Sequence, residues 1–176
     1  MKLFFTAILL TSFLLNGFGQ TQKKVAFYVT TQFNQTLYDI TRGNNQSGFG
    51  AGGQLFFNNT SHFKPSIELT ADLYLLDDKV YRLRPDNSSY DVVRGMINLL
   101  GGFSYQPGTN FNAGVSAGPS FVAGKTLFGI KPAIGFFFGK NQRMMGKFSY
   151  LNVFDRDKET GKDFGAISLG IGLRLL

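Results

Sequence analysis

From Ser66 to Leu75 the chain alternates residue by residue: Ile67, Leu69, Ala71, Leu73 and Leu75 fall on one side, Ser66, Glu68, Thr70, Asp72 and Tyr74 on the other. A period of two marks an extended strand between an apolar phase and a polar one. The pattern recurs along the chain and predicts eight strands, over residues 25–34, 48–57, 66–75, 94–105, 112–122, 127–138, 144–154 and 166–175. Each is near the ~9 to 11 residues that a tilted strand needs to cross a bilayer. The seventh is the least regular, with Phe148 and Tyr150 facing one way and Lys147 and Ser149 the other. The last is clean, Ile167, Leu169, Ile171, Leu173 and Leu175 alternating with Ser168, Gly170, Gly172 and Arg174.

The connections alternate in length. Residues 58–62, 106–110 and 139–142 form short links, whereas 35–47, 76–93 and 153–165 are long and polar, with one short link on the long side near 123–125. Short turns on one rim and long loops on the other are the habit of bacterial barrels, the short turns facing the periplasm. Phe57, Phe63, Phe103, Tyr105, Phe111, Phe136 and Phe138 gather near the short turns, and Phe33, Phe49, Tyr90, Phe121 and Phe128 near the long loops, as two aromatic girdles would.

Residues 1–19 read as a cleaved export signal, with Lys2 as the charged start, 3–15 as the apolar run, and Gly17 and Gly19 as the small residues before cleavage. The mature domain is then 20–176, a length suited to one domain. Without cysteine, neither a disulfide nor a lipid-anchored cysteine is available. The longest uncharged stretch, between Arg94 and Lys125, holds seven glycines, Pro107 and Pro119, which excludes a spanning helix. A closed barrel is the remaining way to cross a membrane with every backbone group paired.

The net charge of +7 sorts on this map. The connections on the long-loop side carry eight basic residues against nine acidic, whereas the rest of the mature chain carries nine basic residues against Glu68 and Asp72 alone. Spread over one rim and the polar strand faces, this is not the clustered footprint of a nucleic-acid binder. An eight-stranded barrel is filled by its own side chains, and buried carboxylates there need cations. The expected lumen charges are Glu68, Asp72, Arg94, Lys131, Lys147 and Arg174. Glu68 is expected to pair across the lumen with Lys147, and Asp72 with Arg174 or Lys131.

The segments GFGAGGQLFF (48–57), NAGVSAGPSFV (112–122), GIKPAIGFFFG (129–139) and ISLGIGLRL (167–175) resemble the bacterial outer-membrane β-barrel domain family. These are the porin-family-like, eight-stranded barrels similar to the outer membrane protein A barrel. The resemblance covers nearly the whole mature chain and implies an all-β, closed, antiparallel, up-and-down transmembrane barrel in the outer membrane of a Gram-negative bacterium. Implied partners are outer-membrane lipid and lipopolysaccharide and the barrel-assembly machinery during insertion; a surface ligand bound through the long outer loops is one of several roles that the sequence leaves open.

Other chemistries fit less well. Gly48, Gly50 and Gly53 spell G-x-G-x-x-G, but a phenylalanine-rich strand follows where a dinucleotide site needs a helix. Gly124, Lys125 and Thr126 resemble the end of a phosphate loop, yet the earlier glycine it needs falls on Pro119. His62 is the lone histidine and sits in a short link, so no catalytic set, cofactor or metal site is expected. A structural or surface-interaction role follows, with a charge-plugged lumen or at most a narrow solute path. The alternative is a secreted soluble barrel with its apolar face turned inward around a small ligand, because alternation alone does not tell inside from outside.

Overall fold

The computed structural model describes residues 25–37, 46–58, 61–75, 93–122, 124–157 and 162–176. The expected export signal, Tyr90 and most of the charged loop residues lie outside them. Eight strands form: β1 (Val25–Thr36), β2 (Ser47–Phe57), β3 (Phe63–Tyr74), β4 (Gly95–Tyr105), β5 (Phe111–Val122), β6 (Lys125–Phe138), β7 (Met144–Asp157) and β8 (Lys162–Arg174). Each pairs antiparallel with its sequence neighbour, and β1 pairs with β8, so the sheet closes on itself without an edge.

Side-chain parity sets the two faces. Ile67, Leu69 and Leu73 point outward and are exposed, while Ser66, Glu68, Thr70, Asp72 and Tyr74 are buried inside. Phe57, Phe63, Phe103, Tyr105, Phe136 and Phe138 are exposed near the short turns, and Phe33, Phe49, Phe121 and Phe128 near the opposite rim. Edge-to-face and tilted ring pairs, such as Phe63 with Tyr105 at 4.9 Å and Phe33 with Phe49 at 5.4 Å, tie neighbouring strands within each belt.

Three features differ from the sequence-based expectation or refine it. The long loop expected over 153–165 is largely strand, because β7 and β8 run past the expected ends. They do so across a register shift between Val153 and Asp157, where Asp155 takes a left-handed φ of 54°. The β6–β7 link folds as a 3₁₀ turn over Lys140–Gln142. Finally, the registered pairs skip Leu99 and Leu100 opposite Pro119 and Gly118, and skip Lys131 and Pro132 opposite Leu151 and Tyr150. Proline has no N–H to give a ladder, so the β5–β6 hairpin is interrupted on both flanks.

Candidate functional site

The barrel interior is built in three tiers. Near the short turns Ala26, Tyr28, Phe56, Phe137 and Met145 pack as an apolar stopper. Its three rings lie 5.6 to 6.0 Å apart by centroid. The Tyr28 hydroxyl donates to the Gln142 carbonyl at 2.9 Å, which fixes the stopper to the β6–β7 turn. Near the long loops a second stopper comprises Tyr74, Val93, Met96, Leu100, Val122, Leu151, Val153, Phe164 and Ala166. Tyr74 meets Phe164 edge to face at 5.2 Å.

Between the stoppers lies a polar tier. Glu68 on β3 receives Lys131 Nζ from β6 and Lys147 Nζ from β7, both at 2.7 Å on the same oxygen. Lys131 also donates to Gln32 Oε1 at 3.4 Å, and Lys147 to Gln54 Oε1 at 3.1 Å. Asp72 accepts from Gln32 at 2.6 Å, Asn34 at 2.7 Å, Asn98 at 3.0 Å and Thr70 at 3.2 Å. Ser120 continues the chain by donating to Asn98 Oδ1 at 2.7 Å. Side chains from β1 to β7 thus meet in one hydrogen-bonded network whose two carboxylates balance two ammonium groups. Buried ions cost several kcal/mol each unless paired and bonded in this way.

The glycines of β2 make room for this tier. A Cβ on Gly50 would fall on the Asp72 carboxylate, and one on Gly52 would meet the β3 backbone beside Thr70. The G-x-G spacing therefore serves close approach of β2 to β3 and to the acid it carries.

Of the six expected lumen charges, the structure gathers four. Glu68 bonds both Lys147 and Lys131, so Lys131 does not neutralise Asp72, which is held by neutral amides and a hydroxyl instead. Arg94 lies outside the lumen: β4 begins one residue later, Val93 fills the space, and Arg94 is exposed at the long-loop rim. Arg174 has inward parity but sits at the end of β8 beyond the short-turn stopper. There it donates to the terminal main-chain oxygen of Leu176 at 2.5 Å and the Asn141 carbonyl at 3.2 Å. Met96, Leu100, Leu151, Val153, Phe56 and Phe137 are among the lumen residues that polar–apolar parity and charge in the sequence do not reveal. For two of them adjacency is the signal, since in Phe56–Phe57 and Phe136–Phe138 adjacent rings cannot share a face.

Elsewhere, His62 Nδ1 lies 3.0 Å from the Gln106 carbonyl in the β2–β3 link, and its ring stands edge-on to Tyr105. Gly124, with φ at 75°, makes the tight β5–β6 turn, which accounts for the phosphate-loop look-alike. Among the described residues no group of three or more His, Cys, Asp or Glu is placed to hold a metal.

A closed barrel with an aliphatic exterior, aromatic belts and a salt-bridged interior has the fold of a transmembrane β-barrel. No protein-family model and no curated protein matches the chain. Among solved structures it is similar to a de novo designed transmembrane β-barrel, at 11% identity and a TM-score of 0.53, covering 89% of this chain and 100% of the design. It is also similar to neisserial surface protein A, at 11% identity and a TM-score of 0.51, covering 88% of this chain and 99% of that one. The attachment invasion locus protein Ail of Yersinia pestis matches at 11% identity and a TM-score of 0.50, over 86% and 97% of the two chains. At such identities the likeness is one of fold: the chain shares the eight-stranded architecture of bacterial outer-membrane barrels.

Proposed function

We propose that the protein is an integral barrel of a Gram-negative outer membrane, exported by a cleaved leader, with a structural or surface-interaction role and a lumen that does not conduct. The carrying observation is the outward surface. On β1 to β6 and along β8 from Ile167 to Leu175, the described outward positions between the aromatic belts hold no charged side chain. Water would favour the opposite. A soluble ligand-binding barrel would need the aliphatic face to line its cavity; here that face points out and the interior is occupied by Glu68, Lys131 and Lys147. That reading is set aside.

Lipid, including lipopolysaccharide in the outer leaflet, is the medium this surface suits, and the barrel-assembly machinery is the expected route of insertion. The outer loops are the part available to a surface ligand. Planar-bilayer recordings on purified protein should show no large, stable conductance, because two apolar stoppers and a charge network lie in series along the axis. A steady porin-sized current rejects the plug. Fractionation with heat-modifiability tests the membrane placement: a soluble protein whose boiled and unboiled forms migrate alike rejects it.

A further inference from the structure

We infer that the notch at the short-turn rim between β7 and β8, flanked by Arg143 and Arg174, binds the phosphate of an anionic phospholipid. This rests on the membrane reading above.

Charge points to the class of ligand. The described residues of this rim include Lys64, Lys140, Arg143 and Arg174 and no acidic side chain: Glu68 and Asp72 lie deep in the lumen, and Asp155, Asp157 and Asp163 are at the opposite end. Four basic side chains with no acidic side chain among them leave this rim with a net positive charge, and an anion there relieves the repulsion. Geometry narrows the position. The Arg174 N–H donates to the Arg143 carbonyl at 2.8 Å, which anchors the two residues side by side. The Arg174 side chain is braced by the Asn141 carbonyl and the terminal main-chain oxygen of Leu176, contacts that use two of a guanidinium's five donors. The notch measures about 430 Å³ and is lined by Asn141, Arg143, Leu173, Arg174, Leu175 and Leu176.

The lining decides between a lipid and a free anion. Leu173 and Leu175 point outward, 54% and 58% exposed, and continue the apolar surface of β8 down to the two arginines. A free phosphate has no use for that wall; a lipid carries an acyl chain for the leucines and a phosphate for the guanidinium forks. Depth agrees. Leu173 pairs with Met144, which pairs with Phe138 of the aromatic belt, so the arginines lie where headgroups begin.

Native mass spectrometry of the protein, released from vesicles of phosphatidylcholine and phosphatidylglycerol in equal amounts, tests this. The expected result is retention of phosphatidylglycerol over phosphatidylcholine on the order of ten-fold, as two headgroup-level cations supply. The preference should be lost in R143Q/R174Q and kept in K125Q at the opposite rim, with all three proteins still heat-modifiable. Equal retention of the two lipids, an unchanged preference in the double variant, or displacement of the lipid by inorganic phosphate at matched concentration overturns the inference. Failure of the wild-type protein to enter vesicles at all counts against the membrane reading instead.

Discussion

Glu68→Gln should destabilise the barrel by about 3–5 kcal/mol, the cost of leaving buried charge without its partner. Lys131 and Lys147 both bond one Glu68 oxygen, so their ammonium groups lie within a few ångströms of each other. The amide keeps the volume of the acid but removes the charge between them, and the four-charge tier goes from neutral to a net positive charge. Denaturant unfolding in lipid vesicles, followed by the gel shift between folded and boiled forms, reads the loss. E68Q/K147M should recover most of it, because Lys131 then faces a tier balanced by Asp72. A loss below 1 kcal/mol for the single variant would mean that water reaches the lysines and that the network contributes little.

Leu69→Arg should cost about 2–4 kcal/mol in a bilayer, falling to ~0–1 kcal/mol for Phe63→Arg near the interface. Leu69 is 51% exposed on the outward face and pairs with Leu99 across β3–β4, near the middle of the apolar band. Were that face in water, an exposed leucine could become arginine within about ±0.5 kcal/mol. Depth dependence is the discriminating result. Equal small effects at both positions would remove lipid from the outward face.

The barrel was legible because its outward half is simple. One side of most strands is predominantly apolar, so parity within Ser66–Leu75 or Ile167–Leu175 sorts residues into two faces, and the uncharged character of the apolar face together with alternating short and long links favours a closed barrel with that face outward. The interior was harder to read. Glu68 with Lys147 follows from parity and strand order, but whether Lys131 reaches Glu68 or Asp72 depends on the relative height of residues around the cylinder, which the stagger of pairing sets and no single strand encodes. The stoppers escaped for a related reason. Where both faces are apolar, as at Met96 and Ile97 or at Phe136 to Phe138, alternation carries no contrast. Arg94 and Arg174 were drawn into the lumen by parity alone, and where each strand ends placed them on opposite rims.

The two prolines have a mechanical consequence. Because Pro119 interrupts the β4–β5 seam and Pro132 the β6–β7 seam, β5 and β6 form a panel whose two flanks each lack two registered pairs. Partial opening should peel this panel away as a unit while the remaining strands keep their order. Amide exchange in micelles would then run faster along both of its flanks than along the β1–β8 closure, where nine consecutive residue pairs hold the cylinder shut.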